Sequence, residues 1–286
     1  MSQKPRSRST KKMLKMMYIT NVPEIASIAD MAGVDRIFID LERYGKEKRQ
    51  KNWDSVKSKH SISDIPKVKA AVKNAQIFVR TDPVFDGFAD ELESVLACRP
   101  DVVLLPYFKT GREVDTFIKA VDGRVRTSIL LETREAAELI DDIISVGGID
   151  EIHIGLNDLS HSYGKKFLFE ELADGTVDRL VERFKAHGIE SYGFGGIASL
   201  GGGLLPAEMI LPEHYRLGST CVILSRAFCD VSKVGNIEEI RCIFDDGVGA
   251  IRDYEKKCAA MSERELAENS AALKERVEEI VSNMQQ

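Results

Sequence analysis

Short apolar runs recur along the chain, and several of them stop at a charged side chain. Leu14–Thr20, Arg36–Leu41, Gln76–Arg80, Asp101–Leu105, Thr127–Leu131, Glu151–Leu156, Ser191–Ala198 and Cys221–Ala227 all have the length and composition of buried strands. Helical spacing fills most of the intervals. Pro23–Ala32, Ile65–Lys73, Phe88–Cys98, Glu113–Val121, Arg134–Val146, a long region ending near His187 and Pro206–Leu217 each carry apolar residues three and four apart. Continuously apolar strands alternating with helices predict a parallel sheet covered on the outside. Eight such steps predict a closed TIM (β/α)8 barrel, an α/β fold. An open doubly wound sheet is the fallback, but no G-x-G-x-x-G turn follows the first strand.

The stretch from Arg126 to Gly164 is the most informative. Its first apolar run is broken by Glu132; Ala136, Leu139, Ile140 and Ile143 give a helix ended by Gly147-Gly148, and the next run is followed by Asp158. Successive strand C-termini in a parallel barrel open on one face. Glu132 and Asp158 then converge as two hard oxygen ligands suited to Mg²⁺ or Mn²⁺, with Co²⁺ a further candidate. The plain structural alternative is that each carboxylate caps the helix after it.

Beyond the eighth strand, Ile237–Lys257 and Ser262–Met284 read as helices, the second opened by a Ser262/Glu265 capping box. Its stripe of Leu266, Leu273, Val277, Ile280 and Val281 needs a partner surface, either its own barrel or, preferred here, a neighbouring subunit. The expected layout is a disordered basic leader over 1–12, a catalytic barrel over 13–234 and C-terminal helices over 235–286. The charge-rich stretch from Tyr44 to His60, with the single tryptophan Trp53, is a solvated face, a lid or a subunit contact.

Composition narrows the field. A net charge of -6 argues against a nucleic-acid or membrane-surface role, and no apolar run approaches the roughly 20 residues of a membrane span. Five cysteines, Cys98, Cys221, Cys229, Cys242 and Cys258, show no zinc-like spacing and suit reduced thiols in a cytoplasmic protein.

The polar residues at the strand ends form a constellation. Strand two offers Asp40, Glu42 and Arg43, strand three Arg80, strand five Glu132, and strand six Asn157 and Asp158. Carboxylates, an arginine and a divalent metal suit a substrate with a carboxylate beside a carbonyl. IDLER, FVR, LLP, LLETREA and GLNDLSHSYG, in that order, resemble the HpcH/HpaI aldolase and citrate lyase β-subunit family over Met17 to Ala227. The resemblance implies a TIM barrel with a divalent metal on Glu132 and Asp158. It also implies Arg80 on the carboxylate of a pyruvate-type enolate, with Asn157, Asp158 and neighbouring amides at the substrate. The implied reaction is reversible cleavage of 4-hydroxy-2-oxo acids to a 2-oxo acid and an aldehyde, in a homo-oligomer, a hexamer built from dimers.

The chain departs from the family at one position. The family's Glu-His pair after strand two is here Glu42-Arg43, and arginine stays protonated at neutral pH. Three explanations stay open: Asp40 or Glu42 works through a metal-bound water, His161 swings in from the loop after strand six, or the activity has changed. Asp40 is preferred. Arg43 either recognises a second anionic group or pairs with Glu42 or Asp40. Arg226, after strand eight, is an anion contact or, preferred, a structural ion pair. His153 reads as structural. The competing functions are a citrate-lyase-like thioester C–C lyase and a non-catalytic 2-oxo acid-binding barrel.

Overall fold

The computed structural model describes residues 13–45 and 59–284. The basic leader over 1–12 and most of the charge-rich stretch, Trp53 included, lie outside the described residues. Eight parallel strands close a barrel in sequence order: β1 (Lys15–Ile19), β2 (Arg36–Asp40), β3 (Gln76–Arg80), β4 (Val102–Leu105), β5 (Arg126–Leu131), β6 (Glu151–Ile154), β7 (Tyr192–Ile197) and β8 (Cys221–Leu224). The outer layer begins with α1 (Pro23–Met31), α2 (Asp64–Ala71), α3 (Phe88–Ala97) and α4 (Gly111–Val121). The expected helix over 134–146 is two short ones, α5 (Arg134–Glu138) and α6 (Ile140–Ile144). They part at Leu139, which leaves helical geometry (φ -100°, ψ 19°) and is exposed instead of packed. The long helical region before His187 is likewise three helices, α7 (Leu156–Ser162), α8 (Glu170–Ala173) and α9 (Thr176–Ala186), followed by α10 (Ala207–Leu217).

Inside the barrel, Met17, Phe38, Phe78, Val102, Leu104, Leu130 and Cys221 fill the lumen. A polar plug closes its N-terminal mouth. Arg36, fully buried, forks onto both oxygens of Glu151 at 2.6 Å, and Arg126 adds a third bond at 2.6 Å. The glycine-rich β7 reflects close approach to β8: a Cβ on Gly193 would sit 2.3 Å from the Cys221 carbonyl oxygen.

Two long helices end the chain, α11 (Ile237–Ala260) and α12 (Glu263–Asn283), and the predicted Ser262/Glu265 capping box opens α12. Leu266, Leu273, Val277 and Ile280 of α12 are buried against α10 and α8 of the same chain. Asn269 and Ser270 reach the buried Glu213 of α10. Covering this stripe therefore does not require the neighbouring subunit expected from the sequence. All five cysteines are free thiols. Among the described residues, no helix is long and apolar enough to cross a membrane.

Candidate active site at the C-terminal mouth

Asp40 and Arg80 are lateral partners in the β2–β3 ladder and end their strands side by side. Arg80 donates from Nε to Asp40 Oδ1 at 2.7 Å and from Nη2 to Oδ2 at 2.8 Å, a two-pronged buried pair. Its Nη1 lies 3.4 Å from Glu42 Oε2. Burial works against the guanidinium charge, but Asp40, Glu42 and Glu132 outweigh it and hold Arg80 protonated. Asp40 Oδ1 also accepts the Glu42 backbone N–H at 3.2 Å. As the preferred base, then, Asp40 has both oxygens already engaged.

Arg43 does not enter this cluster. Its backbone N–H and that of Tyr44 donate to Asp82 Oδ1, at 2.5 and 2.7 Å, and its guanidinium donates to the His60 carbonyl. The ion pair with Glu42 or Asp40, one of the two roles open to Arg43, is not formed among the described residues, where Arg80 contacts both carboxylates instead. His60 instead supplies a contact that the sequence reading missed: its Nδ1 accepts the backbone N–H of Asp40 at 3.0 Å. A lone histidine at the end of a charged stretch gave no signal of that placement.

Glu132 follows β5 and is buried, with Oε1 accepting the Tyr107 backbone N–H at 3.0 Å. Tyr107 holds a left-handed conformation (φ 49°), which aims that amide. Neither proposed ligand is a helix cap. Thr133 caps α5 through a bond from the Ala136 N–H, and Gly155 occupies the cap position before α7, leaving Asp158 in its first turn. Gly155 is where β6 hands over to α7, and a Cβ there would lie 2.9 Å from Glu132 Cβ and 3.0 Å from its Oε2. Only glycine leaves that carboxylate its room.

Burial, then the charges of Asp158 and Glu42, push the Glu132 carboxyl well above the usual carboxylate range; Arg80 and the Tyr107 amide only partly oppose them. The mouth thus gathers carboxylates around one paired arginine. That surplus fits a divalent cation. Among the described residues no three His, Cys, Asp or Glu side chains converge into a ready cage. Two carboxylates completed by water and substrate oxygens are, however, the ordinary Mg²⁺ arrangement.

The other candidates separate clearly. Asn157 is exposed with no side-chain partner among the described residues, and His161 is exposed in the last turn of α7. His153 is structural as expected: its Nε2 lies 3.2 Å from the Gly195 carbonyl, Cys221 Sγ lies 3.7 Å from its Nδ1, and burial lowers it to about 4. Arg226 departs from the preferred ion pair and has no partner among the described residues. It is exposed and lines a cavity of about 250 Å³ with Tyr18, Asp40, Arg80 and Ser225. Arg80 borders this cavity and faces the charge of Glu132 as well.

Known proteins place this arrangement in context. The family described as HpcH/HpaI aldolase/citrate lyase matches residues 14–194. Among curated protein sequences no match is found. A solved HpcH/HpaI aldolase/citrate lyase family protein from Burkholderia cenocepacia J2315 is 13% identical with a TM-score of 0.60, over 82% of this chain and 96% of that one. HpcH/HpaI aldolase from Desulfitobacterium hafniense DCB-2 is 16% identical with a TM-score of 0.57, over 84% and 93%. CitE from Mycobacterium tuberculosis, solved with magnesium and acetate, is 14% identical with a TM-score of 0.58, over 90% and 96%. At such identities these likenesses speak for the barrel alone, whereas the family match spans most of it: the chain belongs to the HpcH/HpaI aldolase/citrate lyase family of carbon–carbon lyases.

Proposed function

We propose that the protein is a divalent-metal-dependent aldolase that makes or breaks the C3–C4 bond of 4-hydroxy-2-oxo acids. The observation that carries this reading is the buried Glu132 carboxylate at the C-terminal mouth of the barrel, held by the Tyr107 amide, given room by Gly155 and facing the charge of Arg80. Glu132 and Asp158 would hold Mg²⁺ or Mn²⁺, which when bound supplies a Lewis acid for the C2 carbonyl. Arg80 adds a fixed positive charge. With Nε and Nη2 committed to Asp40, its Nη1, held only by a 3.4 Å contact to Glu42, is the end that would turn to the oxygen on which enolate charge develops.

In the cleavage direction a base takes the proton of the 4-hydroxyl. The C3–C4 electron pair then passes to C2–C3 as the enolate, the aldehyde leaves, and protonation at C3 yields the 2-oxo acid. Glu42 suits the proton acceptor better than Asp40. Its contact with Arg80 is looser, at 3.4 Å, than the two short bonds that clamp Asp40. Arg43 supplies no base, and its bond to the His60 carbonyl keeps its charge engaged outside the cluster. The missing base at position 43 is the feature that a non-catalytic 2-oxo acid-binding barrel would share, and turnover separates the two readings.

The test is pyruvate release from 4-hydroxy-2-oxo acids with Mn²⁺ and with EDTA. Turnover should require the metal, vanish in Glu132→Ala and fall more in Glu42→Gln than in a folded Asp40→Asn. EDTA-insensitive turnover, or full activity in Glu132→Ala, would sink the reading.

A further inference from the structure

The cavity of about 250 Å³ lies between the ends of β1, β2, β3 and β8, and its two cations differ. Arg80 is clamped to Asp40 by two short bonds, with a longer contact to Glu42. Arg226 makes no ion pair among the described residues, and the Ser225 hydroxyl beside it likewise has no hydrogen-bond partner there. Their backbone is nevertheless fixed. The Ser225 N–H donates to the Ile197 carbonyl at 2.8 Å, and the Phe228 N–H donates to the Ser225 carbonyl at 2.9 Å, closing a turn with Arg226 at its second position. β8 is in register with β1 up to the Tyr18–Leu224 pair, so the turn overhangs the same cavity that Asp40 and Arg80 border. An unpaired guanidinium and a hydroxyl on a pinned turn, across a cavity from an Asp40 carboxylate already clamped by Arg80, make a receptor for an anion. The family match stops at residue 194, before this turn.

We infer that Ser225 and Arg226 bind an acid group, carboxylate or phosphate, on the aldehyde half of the substrate, and so set acceptor specificity. This rests on the aldolase reading: the 2-oxo acid end lies toward Arg80 and Glu132, and the new bond grows toward β8. It makes Arg226 a specificity residue, separate from the proton and enolate chemistry.

The experiment compares aldol addition of pyruvate, with Mn²⁺, to three aldehydes: succinic semialdehyde, glycolaldehyde phosphate and butanal. Wild type should favour an anionic aldehyde over butanal in kcat/KM. Arg226→Gln should cut kcat/KM for it by roughly tenfold to a hundredfold more than for butanal, as expected for a charge-assisted hydrogen bond. Arg226→Lys should restore part of the loss. Which anionic aldehyde responds distinguishes carboxylate from phosphate. No preference in wild type, or equal losses for charged and neutral aldehydes in Arg226→Gln, overturns the inference.

Calorimetric titration with succinate, inorganic phosphate and pyruvate reads the subsite without turnover. If no aldehyde reacts, the aldolase reading has failed. Weaker succinate or phosphate binding in Arg226→Gln, with pyruvate binding retained, still supports the subsite; identical affinities in both proteins reject it.

Discussion

Gly155→Ala perturbs the proposed metal site through a single carbon atom. The backbone at Gly155 (φ -81°, ψ 82°) is open to alanine, so the cost is steric and not conformational. The added Cβ would meet Glu132 Cβ at 2.9 Å, Glu132 Oε2 at 3.0 Å and Leu130 Cδ1 at 3.3 Å. Carbon atoms prefer about 3.5–4.0 Å, so the Glu132 side chain must retreat by roughly 0.5–1 Å. Mg²⁺ tolerates little of this, since it demands near-octahedral geometry at about 2.0–2.1 Å. Disturbing the support of a ligand costs about 10–100-fold in metal affinity, while overpacking costs about 1–3 kcal/mol of stability. Gly147→Ala is the matched control. Nothing lies within 4 Å of its added Cβ, but φ is 78°, so it should lose about 1–2 kcal/mol through the backbone alone and bind Mn²⁺ as wild type does. Mn²⁺ titration followed by electron paramagnetic resonance, with melting curves alongside, separates the two. A folded Gly155→Ala protein with wild-type Mn²⁺ affinity would refute the placement of Glu132 at the metal.

Glu132 also predicts how pH acts on the metal-free protein. Its folded pKa lies above the ordinary 4.5, so the folded state holds this proton more tightly, and the associated stability is lost as pH rises from about 4.5 through the folded value. Mn²⁺ competes with the same proton and should stabilise more as pH rises. In Glu132→Gln both dependences should disappear, and unchanged pH slopes in denaturant melts would contradict the assignment. At His60, Nδ1 accepts the buried Asp40 N–H at 3.0 Å, so His60→Ala should cost about 1–3 kcal/mol by stranding that donor; an unchanged urea midpoint would show that the contact is dispensable. At the opposite mouth, Glu151→Gln strands the buried Arg36 and should cost about 3–5 kcal/mol, read as a lowered urea midpoint. A loss no larger than that from breaking the exposed Arg124–Glu93 pair would show that the plug is replaceable.

The strands were legible because barrel strands are buried on both sides, and an apolar run that stops at a charge marks where the chain leaves the core. Asp40, Arg80 and Glu132 could be named for that reason. The α5–α6 break could not: Leu139 continues the apolar period, and only its exposure in the folded chain exposes the lapse. Backbone groups were equally hidden. The Tyr107 amide serves Glu132 because Tyr107 adopts a left-handed conformation, a choice that tyrosine does not advertise. Gly155 fell inside the apolar run read as Glu151–Leu156, and only its contact with Glu132 gives the glycine a steric reason.

Register was the decisive thing that spacing could not supply. Forty residues separate Asp40 from Arg80, and only the β2–β3 ladder sets them side by side. From composition, each looked available for its own task, one as base and one as carboxylate clamp. Paired, they constrain each other, because any proton taken by Asp40 must first loosen the fork that holds Arg80 in place. A bound anion competing for Arg80 would in turn release an Asp40 oxygen. The pair therefore works best as a rigid positive strut whose loosest end is Nη1, 3.4 Å from Glu42. The proposed aldolase chemistry then calls for a proton acceptor outside the fork, and Glu42, two residues beyond β2 with its Arg80 contact at 3.4 Å, meets that condition. The same logic leaves Arg226 as the mouth's unpaired cation among the described residues lining the cavity. If Asp40→Asn proves as damaging as Glu42→Gln in a protein that still binds pyruvate, the strut description fails and the fork must open during turnover.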